Sequence, residues 1–299
     1  MKILIGSDHL GTHFVQELRD SYTGVEFSAA YTSEEQVTAI EGADVFMGWP
    51  TREVFLAADQ LRWIHCPGMG IDRIVSTPEI IFSDIPVTNA PGPHVAPMAN
   101  WVIGAMVALT HRFLDYFREQ QAKAWDQYKY SEQISELSGR TMGLYGLGAI
   151  GRAVAHRAAA FGMNVIALDP HPADVPSTVS DLLPPEQIDE FVQMSDWLIV
   201  TAPSIKKTRL SINAGRISRM KRGSYIVVVS RGGIVDEGAL CDAIQTGHLS
   251  GAALDATDPE PPSLDSRLWT LPNVLLTSHS SALTPELFDG RRNIFHQNL

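Results

Sequence analysis

The chain has 299 residues, 44% hydrophobic and 19% charged, an ordinary globular balance that excludes a wholly disordered chain and suggests two domains. Lys and Arg number 23 against 34 Asp and Glu. The resulting net charge of −11 repels polyphosphate at long range and argues against nucleic acid as a main partner. The only cysteines, Cys66 and Cys241, sit in no ligand spacing, so neither a disulfide framework nor a metal site is expected, only two reduced thiols.

The N-terminal apolar run is too short for a signal peptide, and no stretch approaches the roughly 18 apolar residues of a membrane span. A soluble, cytoplasmic protein with no membrane partner is the expectation. Strands are predicted at residues 2–6, 25–29, 44–48, 63–66 and 86–89, with helical stretches such as 12–21 and 34–41 between them. Strands alternating with helices predict a doubly wound parallel α/β sheet, whose buried strands read as continuous apolar runs.

The turn-rich segment Asn89-Ala90-Pro91-Gly92-Pro93 breaks this series. One long helix is predicted after it, over about residues 96–121, with an apolar face through Trp101, Ala105, Ala108 and Leu109. That face suits a hinge spine or a subunit interface, and a homodimer is expected. A second alternating series follows, with strands at 141–145, 164–168, 197–201, 224–229, 251–255 and 274–277. Six strands is the count for a dinucleotide-binding fold with two mononucleotide halves.

Gly146-Leu147-Gly148-Ala149-Ile150-Gly151 fits G-x-G-x-x-G and stands where that pattern has meaning, between a strand and the helix at 152–161. Gly146 permits the tight turn, Gly148 lets the backbone approach a pyrophosphate, and Gly151 lets helix and strand pack. The helix start, with its free N–H groups and dipole, holds the phosphates. Asp169 ends the next strand, 18 residues after Gly151, where a carboxylate accepts from a ribose hydroxyl and repels a 2′-phosphate. NAD (NADH) is therefore expected over NADP, although the basic run Lys206-Lys207-Thr208-Arg209 could soften the preference.

Three later segments each follow a predicted strand: Ser230–Asp236, Leu254–Pro261 and Thr277–Ser281. Ligands bind at the C-terminal ends of strands in open α/β sheets. Within these segments Arg231 offers a fixed cationic fork for a carboxylate, and His279 a proton donor near neutral pH. A neighbouring carboxylate would favour the protonated ring and orient it, and spacing leaves Asp255, Asp258 and Glu260 all open for that role.

Together with the glycine fingerprint these segments resemble the D-isomer-specific 2-hydroxyacid dehydrogenase family, most of all its shorter glyoxylate/hydroxypyruvate reductase type. Pro67-Gly68-Met69-Gly70-Ile71-Asp72 is similar to the family's substrate-domain glycine loop. Leu137–Gly143 is similar to its lead-in to the fingerprint. The resemblance implies a flavodoxin-like substrate domain, placed at 1–92 plus 284–299, and a Rossmann NAD-binding domain at 93–283. It implies a catalytic triad of Arg231, Glu260 and His279. Substrate would be bound by Arg231, His279 and the backbone at Met69 and Gly70. Cofactor contacts would come from Gly146, Gly148, Ala149, Ile150, Gly151, Asp169, Thr208, Val229, Arg231 and Asp255.

The implied reaction interconverts a small 2-keto acid and a D-2-hydroxy acid, the cofactor supplying the hydride. Two alternatives stay open: a related dehydrogenase for an unusual donor such as phosphite, and an NAD(H)-sensing, corepressor-like binding protein. The chain departs from the common family pattern at Asn100, Thr257 and Ser278, where members often carry Glu, an aromatic and Pro. It stops at Phe295-His296-Gln297-Asn298-Leu299, inside a predicted helix, where relatives usually continue.

Overall fold

The computed structural model describes all residues, Met1–Leu299. It divides into two compact units, Met1–His94 with Leu283–Leu299, and Val95–Ala282. No helix is long and apolar enough to cross a membrane.

In the first unit five strands, β1 (Lys2–Ile5), β2 (Glu26–Ala29), β3 (Val45–Met47), β4 (Trp63–Cys66) and β5 (Val87–Asn89), form one sheet. Their order is β2-β1-β3-β4-β5 and every pairing is parallel. This is the flavodoxin-like order. The helices are α1 (Phe14–Ser21), α2 (Ser33–Ala39), α3 (Arg52–Ala57), α4 (Asp72–Val75) and α5 (Pro78–Ile81). Ile3, Leu4 and Ile5 are all buried, so β1 needs apolar residues on both faces. A capping box between Thr32 and Glu35 starts α2.

The second unit begins with α6 (Val95–Thr110) and α7 (Phe113–Ala122), where one long helix was predicted. The break falls at Arg112, whose φ of 58° is left-handed and ends the first helix. Just before it, the Thr110 hydroxyl bonds back to the Met106 carbonyl at 2.9 Å, a contact that bends helices. The apolar face of α6, including Met98, Val102, Met106 and Leu109, is buried.

The sheet of this unit has seven strands: β6 (Thr141–Tyr145), β7 (Asn164–Leu168), β8 (Val179–Leu183), β9 (Trp197–Val200), β10 (Tyr225–Val228), β11 (Gly251–Leu254) and β12 (Val274–Leu276). Their order is β12-β11-β10-β9-β6-β7-β8, again all parallel. The six-strand expectation missed β8. Its middle residues Ser180 and Asp181 are exposed at the sheet edge, so it lacks the continuous apolar run of a buried strand. With β8 present, β8-β7-β6-β9-β10-β11 is the Rossmann order and β12 is a seventh strand appended to it. Helices α8 (Ala149–Ala160), α9 (Ile188–Met194), α10 (Ala214–Ile217) and α11 (Glu237–Gln245) connect the strands. Helix α6 packs on α8 and β11, and Asn100 accepts the Arg157 guanidinium N–H at 2.9 Å.

The final helix, α12 (Pro285–Asn298), belongs to the first unit, where Phe295 packs against Phe14, Trp63 and His65. Both cysteines are free and buried, and burial pushes the Cys66 thiol up to about 12.

Candidate active site

The order of the seven-stranded sheet reverses between β6 and β9, and the glycine-rich turn leaves β6 at that point. Gly146 has φ 102°, and a Cβ there would meet the backbone N of Ala202 at 2.7 Å, so only glycine fits. At Gly151 a Cβ would lie 2.3 Å from the Gly146 carbonyl oxygen, which is the close helix–strand packing its position requires. Gly148 differs: a Cβ would meet nothing within 4 Å. It is the N-cap of α8 and offers no side chain to the first N–H groups of the helix. Backbone, dipole and open space thus converge at Gly148-Ala149-Ile150, a fit to a phosphate group.

Asp169 stands where β7 ends beside this turn. Its carboxylate accepts the Leu147 N–H at 2.7 Å and the His171 N–H at 2.8 Å. The acid and the glycine turn are therefore one hydrogen-bonded assembly. The Thr208 hydroxyl is turned inward and closes its own loop, donating to the Pro203 carbonyl at 2.6 Å. Val229 is fully buried. Of the basic run, Arg209 pairs with Asp258 at 3.2 Å.

The three predicted chemical segments follow β10, β11 and β12. Arg231 donates to the Ser230 carbonyl at 2.7 Å. The next residue, Gly232, lies so close to the Thr257 backbone that a Cβ would come within 2.1 Å of its carbonyl carbon. That contact joins the loop of Arg231 to the loop of Glu260.

His279 Nδ1 lies 2.7 Å from Glu260 Oε1. The other two candidate acids have different partners. Asp258 takes Arg209, while Asp255 is buried and serves the His279 turn. Asp255 accepts the Thr277 hydroxyl at 2.6 Å, the Ser280 N–H at 2.8 Å and the Ser281 N–H at 3.0 Å. His279 has φ 53°, a left-handed backbone that a non-glycine residue adopts at a cost, and these bonds hold it there. Sequence reasoning did not anticipate this use of Asp255, because an acid at a strand end also reads as a ligand contact.

Met69 and Gly70 belong to the first unit. Their carbonyls are occupied: Asn89 donates its side-chain N–H to Met69 O at 2.8 Å, and Trp49 its indole N–H to Gly70 O at 2.9 Å. The loop is pinned by its acceptors, which leaves backbone N–H groups as what it can offer a ligand.

The family model "D-isomer specific 2-hydroxyacid dehydrogenase, NAD binding domain" matches residues 103–281. The D-3-phosphoglycerate dehydrogenase of Methanocaldococcus jannaschii is 35% identical over 269 residues, which are 88% of this chain and 50% of that protein. The hydroxypyruvate reductase of Thermotoga maritima is 35% identical over 240 residues, 79% of this chain and 76% of that protein. The chain spans about half the length of the phosphoglycerate dehydrogenases it matches. Among solved structures, the TT0316 protein of Thermus thermophilus superposes with a TM-score of 0.85 at 28% identity, over 100% of this chain and 96% of that one.

Proposed function

The chain belongs to the D-isomer-specific 2-hydroxyacid dehydrogenase family, and from that premise we propose that it reduces a small 2-keto acid to a D-2-hydroxy acid with NADH. The observation that carries the reading is the His279–Glu260 contact at 2.7 Å, set at adjacent strand ends of an NAD-binding domain. With Nδ1 held by Glu260, Nε2 is the ring nitrogen left to reach a substrate. His279 donates the proton to the carbonyl oxygen, and Glu260 orients the ring through its contact with Nδ1. Arg231 holds the substrate carboxylate with a planar fork.

Gly148, Ala149 and Ile150 would cradle the pyrophosphate of the cofactor, and Asp169 its ribose hydroxyls. The bound cofactor supplies the hydride. No Lys or Arg occurs in Asp169-Pro170-His171-Pro172-Ala173-Asp174, so nothing in this stretch offsets the repulsion between Asp169 and a 2′-phosphate. That supports NAD over NADP. A substrate of the glyoxylate/hydroxypyruvate class is favoured because the hydroxypyruvate reductase relative is matched over three quarters of its length.

The test is to mix the protein with NADH and glyoxylate, hydroxypyruvate or pyruvate and follow cofactor absorbance. Oxidation of NADH by at least one of them is expected. Tight NADH binding with no turnover on a wider keto-acid panel would overturn the reading and favour a binding protein.

A further inference from the structure

Glu237 is the first residue of α11, after Asp236, which caps the helix by accepting the Ala239 N–H at 3.0 Å. The Glu237 side chain leaves the helix and accepts the backbone N–H of Asp258 at 2.8 Å. That bond reaches from the loop of Arg231 to the loop of Glu260. Burial pushes the Glu237 carboxyl up to about 7; the Asp258 N–H opposes the rise and the Asp258 charge adds to it. No cation is placed to relieve it. Arg267, on the same rim, is committed to Asp242 at 2.6 Å and to the Gly238 carbonyl at 3.1 Å, and Cys241 beside it is a buried thiol.

The outer side of the Glu260 loop borders a cavity of about 260 Å³, lined in part by Glu237, Cys241, Pro259, Pro262 and Arg267. The loop therefore lacks packing on that side. Its ties are the Gly232–Thr257 contact, the exposed Arg209–Asp258 pair and the Glu237 bond. An exposed ion pair between two side chains contributes little, whereas the half-buried Glu237 side chain accepts from the loop's own backbone, which makes it the polar tie that fixes the loop's main chain.

Resting on the oxidoreductase reading above, we propose that Glu237 is a positioning residue: it ties the Glu260 loop to the Arg231 loop and thereby sets the contact between Glu260 and His279. The test uses the full chain labelled with 15N-histidine, the His279 ring signals being assigned by their loss in His279→Gln. These signals report the Nδ1 contact whether or not any keto acid turns over. A wild type without turnover would sink the oxidoreductase reading alone. Glu237→Ala and the space-filling Glu237→Met are expected to move the signals toward those of Glu260→Gln. They should also lower kcat by about tenfold while leaving NADH affinity unchanged. Glu237→Gln keeps an acceptor oxygen and should restore both signals and kcat. A folded Ala or Met variant with wild-type His279 signals would overturn the proposal, as would a Gln variant that behaves like Ala.

Discussion

Glu260 Oε1 and His279 Nδ1 lie 2.7 Å apart although the two residues sit on loops that leave different strands. The contact works only because the His279 turn is fixed from beneath. A left-handed backbone costs a non-glycine residue roughly 1–2 kcal/mol. Asp255 offsets that cost by accepting two consecutive N–H groups and a hydroxyl from the same turn.

The proposed proton donor can be tested directly. His279→Gln should lower kcat for keto-acid reduction by about 10²–10⁴, the usual contribution of a positioned acid. NADH affinity, measured by fluorescence titration, should not change. Glu260→Gln keeps the shape and loses the charge, so a smaller loss, about tenfold, is expected. Retention of most of the wild-type kcat by His279→Gln would assign the proton to another group.

Cofactor choice is expected to rest on Asp169. Its carboxylate is held at the glycine turn by the Leu147 and His171 N–H groups. A 2′-phosphate brought there would meet like charge. Wild-type kcat/KM should favour NADH over NADPH, and Asp169→Ser should narrow the ratio by about tenfold or more. A wild type that prefers NADPH would refute this and point instead to the basic run Lys206-Lys207-Thr208-Arg209.

Buried strands such as β1 and β6 are legible in the sequence because both faces are covered and the run is continuously apolar. The edge strand β8 is not, since Ser180 and Asp181 satisfy no such pattern. The break at Arg112 is invisible because the apolar spacing continues through Phe113 and Phe117 on the far side of it. In the site, spacing alone leaves three acids open as partners of His279. Their partners separate them in space: Asp258 takes Arg209, Asp255 takes the Ser280 and Ser281 N–H groups, and Glu260 takes His279. Glu237 is hidden for a different reason. An acid at a helix start is explained by the dipole, and nothing local points to Asp258.

The break at Arg112 also relocates the surface on which a dimer would rest. The buried face of α6 is spent on α8 and β11 within its own unit. Helix α7 has no buried residue and leaves Phe117 62% exposed, and Trp125 beyond it is 96% exposed. Such aromatics are expected to cover one another in a homodimer. Light scattering at micromolar concentration should give twice the chain mass for wild type and a smaller particle for Phe117→Asp with Trp125→Asp. A wild-type monomer would refute the dimer.

Acid stability should depend on His65, which is fully buried in β4. The Thr88 hydroxyl oxygen accepts the Trp63 indole N–H at 2.9 Å and lies 2.9 Å from His65 Nδ1. Nε2 itself is buried with no partner. Burial accordingly pulls the imidazole down from its usual 6.5 to about 4. The unfolded chain gains a proton on this ring as pH falls through about 6.5, while the folded chain resists until about 4. Stability from the neutral ring is therefore intact above pH 6.5, drains away between 6.5 and 4, and falls no further below that. In His65→Gln this source of acid sensitivity is absent, while every carboxylate contributes as before. The difference in Tm between wild type and His65→Gln should shift against the wild type across that window. It should stay flat between pH 7 and 9. A difference that does not change from pH 7 to pH 4 would mean that the folded protein protonates His65 as readily as the unfolded chain does.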